Sequence, residues 1–197
     1  MNFFTEDVSH LANQLLIAMP GMVDERFAGT VVYICEHNQQ GAMGLIINRP
    51  TNIELKELFD RIELKLEIEP LEKQSVYLGG PVQTERGFVL HTQTDDTRYT
   101  SSLTVPGGLA MTTSKDVLEA VSTGQGPDQF LMTLGYAGWS AGQLEDEISR
   151  NGWLNISTNI DAIKKIIFDT PYDQRYQHVM EILGIDPNHL SDQVGHA

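Results

Sequence analysis

Short apolar runs and helically spaced apolar positions succeed one another along the chain, separated by turn residues. Residues 14–18 predict a short strand, and 29–37, with Thr30, Val31, Val32, Tyr33 and Ile34, predict a longer one because β-branched and aromatic side chains suit a pleated surface. Residues 43–48 follow across Asn38-Gln39-Gln40-Gly41, which predicts an antiparallel hairpin. Asn48-Arg49-Pro50 ends it, and Thr51-Asn52-Ile53-Glu54 has capping-box spacing. A helix with Leu55, Leu58, Phe59 and Ile62 on one face is predicted to start there. Strands follow at 75–78 and 87–92, separated by a Gly79-Gly80-Pro81 turn, and at 101–105 and 109–112, all as neighbours in one sheet.

Ser114 is placed to cap a helix through Val117, Leu118 and Val121, which Gly124-Gln125-Gly126-Pro127 terminates. A strand at 130–136 leads to a helix over 140–151 with Gly152 at its exit, and 153–157 return to the sheet. The final helix has Thr170 at its cap, Pro171 at its first position, and Tyr172, Tyr176, Val179, Met180 and Leu183 facing inward, with Gly184 past the last turn. Hairpin-linked strands with segregated helices predict an α+β fold: a single domain over 1–197 with a largely antiparallel β-sheet and flanking helices, rather than a doubly wound fold. No stretch has the composition of an interdomain linker.

Charge narrows the function classes. The 27 acidic and 13 basic residues give −14, spread evenly: 15 acids and 8 bases in 1–98, 12 and 5 in 99–197. Nucleic-acid affinity comes from Lys and Arg displacing phosphate counterions, and the densest cationic spot is only Lys164-Lys165. Direct DNA or RNA binding and docking to an anionic membrane are therefore not expected. A lone cysteine, Cys35, an acidic N-terminus and no long apolar run point to the cytoplasm.

Two stretches offer chemistry. Gly138-Trp139-Ser140-Ala141-Gly142 matches the G-x-S-x-G nucleophile elbow, with Asp161, Asp169 or Asp173 and then His178 or His189 in hydrolase order. Against it, Ser140 to Gln143 spells a capping box, and too little chain follows for the other triad-bearing elements. Cys35-Glu36-His37-Asn38 ends a strand, so Cys35 and His37 are expected on one face, where an imidazolium would activate a thiolate. Neighbours two apart on a flat strand stand about 6.5 to 7 Å from each other, so a direct bond needs a bulge, and a small buried thiol is the stronger reading. Cys35, His37 and His91 have no recognised metal-ligand spacing, and no metal or cofactor is expected. Gly79-Gly80-Pro81 lacks the P-loop lysine and reads as a turn. Glu145, Asp146 and Glu147 suit the start of a helix, with Asp146 able to pair with Arg150, and Tyr136, Trp139 and Trp153 read as core.

Several strings carry a resemblance: Leu16-Ile17-Ala18-Met19-Pro20, Val31 through Asn38, Gly41-Ala42-Met43-Gly44, Gly79-Gly80-Pro81, Arg86-Gly87-Phe88, Met111-Thr112-Thr113-Ser114, Gly135-Tyr136-Ala137, Gln143-Leu144-Glu145, Glu147-Ile148 and the closing Gly195-His196-Ala197. In this order and over essentially the whole chain they resemble the bacterial AlgH/YqgE family. The resemblance implies a single α/β domain, intracellular and without an established activity, and some members are labelled transcriptional regulators. With this charge, such a label implies an indirect role through a small molecule or protein partner. The expectation is a non-catalytic binding protein with a site around His37, Asn38, Asn48, Arg49, Gly79, Gly80, Arg86 and His91. Its rivals are an enzyme using Cys35 and His37 or Ser140, and a direct transcriptional regulator, which the charge disfavours.

Overall fold

The computed structural model describes residues 10–93 and 98–186. The Gly195-His196-Ala197 string and His189 lie outside the described residues. Ten strands are present among them: β1 Leu15–Ala18, β2 Val31–Asn38, β3 Gly41–Ile46, β4 Pro50–Glu54, β5 Ser75–Leu78, β6 Val82–Thr92, β7 Ser102–Val105, β8 Leu109–Thr112, β9 Phe130–Ser140 and β10 Trp153–Ile156. Five α-helices accompany them: α1 Leu55–Arg61, α2 Asp116–Ser122, α3 Gln143–Ser149, α4 Ile160–Lys164 and α5 Tyr172–Ile182.

The fold is α+β. Its sheet runs in the order β10-β1-β2-β3-β9-β6-β8-β7, with every neighbouring pair antiparallel. The long β9 joins the two halves, and β5 adds to it in parallel through Tyr77 and Leu78. The sheet curls until β7 lies near β2.

Both faces of the sheet are covered, which is why β1 and β8 are buried throughout and show no polar alternation. On the inner face, Leu15, Ile17, Tyr33, Leu45, Leu90 and Leu109 pack against Ile163, Ile166, Ile167, Val179 and Met180 of the α4–α5 region. Outside, Leu16, Val32, Ile34, Ile46, Trp139 and Trp153 pack with Leu144 of α3. Val76, Val89 and Met132 meet Leu55 and Phe59 of α1 and Val117 and Val121 of α2.

Several local expectations change. Residues 50–54 form β4, paired with β5, instead of opening the helix. The Thr51 hydroxyl donates to the Val76 carbonyl at 2.7 Å and accepts from the Ile53 amide, so α1 begins after Glu54 with no side-chain cap. A cross-strand acceptor outcompeted the local cap. Ser114 likewise donates to Asp116 and accepts from the Ser101 amide, and α2 starts one residue later behind Lys115.

β5 and β6 are not neighbours: they flank β9 on opposite sides. Between them the chain crosses β9 at Gly79-Gly80-Pro81. The Gly79 amide donates to the Leu134 carbonyl and its carbonyl accepts from Ile46, both at 2.7 Å. A Cβ on Gly80 would stand 2.0 Å from the Tyr136 carbonyl carbon, and one on Gly79 would stand 2.4 Å from the Gly135 oxygen. The glycines are there because two backbones touch.

The last helices also hold a surprise. α4, capped by the Asn159 side chain, runs into a π-helical turn over Lys165–Asp169. The Thr170 amide and hydroxyl both donate to the Lys165 carbonyl, closing that turn instead of capping α5. Tyr172 is 46% exposed, and the inward position of the first turn belongs to Arg175. Its guanidinium lies over the Tyr77 ring and donates to the Thr170 and Ile47 carbonyls. Burial lowers the Arg175 pKa, partly offset by Tyr77. No helix among the described residues is long and apolar enough to cross a membrane.

Candidate functional site

The β2–β3 hairpin forms as expected, but its register contains a bulge. Ile34 opposes Gly44 and Glu36 opposes Met43, which leaves Cys35 unopposed. An extra residue reverses the alternation of side chains beyond it. Cys35 therefore stays with Val31 and Tyr33 in the inner core, while His37 emerges on the outer face beneath α3. Cys35 and His37 do not share the expected face, and the thiol–imidazole pair of the rival reading does not form: Cys35 is a small buried thiol. Burial, followed by the nearby Glu36 charge, pushes the Cys35 thiol up to about 12.

His37 has its own partners. Nδ1 accepts from the Leu11 amide at 3.0 Å, so Nε2 carries the proton and donates to Glu145 at 2.6 Å. Burial raises the Glu145 pKa, but its own backbone amide and His37 outweigh that and leave it lowered. His91 is on the same outer side as α2. One ring nitrogen bonds the Thr92 carbonyl at 2.9 Å and the other the Thr112 hydroxyl at 2.7 Å. Burial lowers its pKa, with the Thr92 carbonyl acting against it. Cys35, His37 and His91 thus occupy three different environments rather than one site.

Asn48 and Arg49 brace the loop before β2. Asn48 accepts from the Val31 amide at 2.8 Å and donates to the Gly29 carbonyl at 3.0 Å. Arg49 donates to the carbonyls of Arg26 and Ala28. Ser140 ends β9 opposite Gly41. Its hydroxyl and amide both donate to the Gln143 side-chain oxygen, at 3.1 and 3.0 Å. The Gln143 half of the capping box is present, but the Ser140 hydroxyl donates to an amide oxygen, and among the described residues no imidazole is bonded to it.

Asn38 and Arg86 are brought together. Beyond the bulge, Glu36 and Asn38 turn to the inner face, at the end of the curl that α4 and α5 leave open. Opposite them β6 bulges: Val82 pairs with Tyr136 but the next pair is Gly87 with Leu134, so 83–86 project as exposed residues. Between the two irregularities lies an open cleft of about 650 Å³. Met43, Phe88, Met111 and Tyr136 form its apolar part, with Gln40, Gln83, Thr113 and Trp139 also lining it.

Arg86 is the cationic residue of the cleft lining. It lies 5.7 Å from the Phe88 ring centre and donates to neutral oxygens, of Gln83 at 3.4 Å and Thr113 at 3.3 Å. Among the described residues no carboxylate is within ion-pair distance of it. The sequence reading did not include Glu36, Gln83, Met43 or Tyr136 in a site. No motif signals the two bulges that collect them.

A second cleft of about 430 Å³ adjoins the first across Val82, Gly138 and Trp139. Phe27, Trp139 and Trp153 pack edge and face in its wall, and both indole N–H groups donate to one oxygen of Glu147 at 2.9 Å. Asp146 pairs with Arg150 at 3.1 Å as its spacing predicted. Glu147 thus anchors two core indoles.

The fold is that of a curled, largely antiparallel α+β protein with a mixed polar and apolar cleft on the concave face. The AlgH-like family model matches residues 15–188, and the chain belongs to that family. It is 64% identical to a UPF0301 protein of Ralstonia pickettii over 95% of this chain and 96% of that one. A UPF0301 protein of Paraburkholderia phymatum is 61% identical over 98% of each. Among solved structures, the AlgH protein of Pseudomonas aeruginosa is similar with a TM-score of 0.76, at 45% identity and full coverage of both chains. Protein DIP2367 of Corynebacterium diphtheriae shares the fold, with a TM-score of 0.66 at 20% identity over 91% of this chain and 88% of that one.

Proposed function

We propose that this protein is a non-catalytic binding protein of the cytoplasm, with an indirect regulatory role exerted through a ligand held in the concave-face cleft. The observation that carries this is Arg86. In a chain of charge −14 a guanidinium has many carboxylates to choose from, yet this one is held over Phe88 beside an apolar floor with no acidic partner among the described residues. A planar fork of donors left in that state suits a carboxylate or another planar anion. Asn38 stands across the cleft, so two residues of the expected site retain a binding role. His37, Asn48, Arg49, Gly79, Gly80 and His91 are better explained by the hydrogen bonds and backbone crossing they maintain. A catalytic role has less support: the thiol is buried away from His37, and the serine hydroxyl donates to the Gln143 amide oxygen rather than to a base.

Native mass spectrometry of freshly purified protein beside its Arg86→Ala variant tests this reading. The parent is expected to carry a bound species that the variant lacks. Because Arg86 is exposed and makes only long bonds to neutral groups, the variant's unfolding free energy should lie within about 0.5 kcal/mol of the parent's. A variant that retains the same species would overturn the assignment.

A further inference from the structure

Resting on the assignment of the cleft as the binding site, we infer that its ligand is a short peptide held by both termini, its carboxylate on Arg86 and its ammonium on Glu36. The two residues line the same cleft with opposite charges, and neither has an ion-pair partner among the described residues. Among the described residues the Glu36 carboxylate is bonded only by the Asn38 side chain, at 3.4 Å.

Their separation selects the length of the ligand. Glu36 is on β2 and Arg86 on β6, and β3 and β9 lie between them. Three inter-strand spacings place the two backbones about 14 Å apart across the sheet, and the register sets Arg86 further along it, since Glu36 aligns through Met43 with Gly138 while Gly87 opposes Leu134. A free amino acid carries its charges only about 3 Å apart and reaches one wall or the other. Each further residue of an extended chain adds about 3.3 to 3.6 Å, so bridging the two walls takes at least about three residues.

The rest of the lining suits a peptide. Asn38, Gln40 and Gln83 supply amides that both donate and accept, as a peptide backbone requires. Met43, Phe88 and Met111 offer an adaptable apolar floor for the side chains. A zwitterion also brings no net charge into the field of a chain at −14, which would repel a polyanion.

The test is calorimetric titration of the tripeptide Ala-Leu-Ala, its N-acetylated form and its C-amidated form into the parent protein and into the Arg86→Gln and Glu36→Gln variants. The free tripeptide is expected to bind, and each cap to weaken it at least tenfold. Amidation should cost nothing further in Arg86→Gln, and acetylation nothing further in Glu36→Gln. Equal binding of capped and free peptide, or no binding of any form at millimolar concentration, overturns the inference. A species retained in native mass spectrometry only by the Arg86-bearing protein, with no peptide binding, would remove the peptide but leave the cleft as the site. If the Arg86→Ala variant retains the species as well, both assignments fall.

Discussion

One unopposed residue decides what the β2–β3 hairpin offers to its surroundings. Cys35 occupies the bulge, so the thiol is swallowed by the inner core and Glu36 and Asn38 are turned into the cleft. The chemical consequence is measurable. A thiol pushed up to about 12 is thiolate in about one molecule in 10⁴ at pH 8, against about a quarter for a free thiol of pKa 8.5. Alkylation of the native protein by iodoacetamide should therefore be slower than that of a small free thiol by at least about 10²-fold. Labelling should become complete only in denaturant. Native labelling at the rate of a free thiol would show that Cys35 is not in this position.

Elements are held in place by backbone contacts that leave no room for a side chain. At the crossing of β9, the segment joining β5 to β6 runs against Tyr136 and Ala137, and Gly80 would place a Cβ within 2.3 Å of three of their backbone atoms. Backbone cannot yield as a flexible side chain can, so Gly80→Ala is expected to destabilise by at least about 3 kcal/mol. The measurement is the urea midpoint, with Gly142→Ala as the comparison. Gly142 has a positive φ but nothing within 4 Å of its Cβ, so its cost should be limited to that of the left-handed backbone, about 1 kcal/mol. Equal midpoints for the two variants would mean that the crossing is looser than described.

Charge acts over the whole molecule. With −14 distributed equally between the halves, and with Arg26, Arg61 and Arg150 each already paired to a carboxylate, a face able to grip DNA is not expected. A gel shift with duplex DNA at physiological ionic strength is expected to show no complex at micromolar protein. A retarded band that disappears steeply with added salt would contradict this, because such a slope measures phosphates neutralised by the protein.

Strand and helix identities were legible in the sequence wherever a local signal was strong. The Gln39-Gln40 hairpin, β7 and β8, the Gly124 break and the Gly184 exit follow from apolar runs and turn residues acting over a few positions. The acidity that disfavours nucleic acid is likewise a property of composition alone. What required the tertiary structure is everything that depends on which strand lies beside which. A β4 pairing overrode a capping box at Thr51, and a backbone crossing claimed Gly79 and Gly80. A guanidinium was drawn into the core at Arg175, where two carbonyls and a tyrosine ring await it. The candidate site belongs to this second group. Residues 36, 38, 83 and 86 meet because one bulge in β2 and another in β6 reverse or suspend a two-residue alternation, and a bulge is set by the partner strand, which no local pattern records.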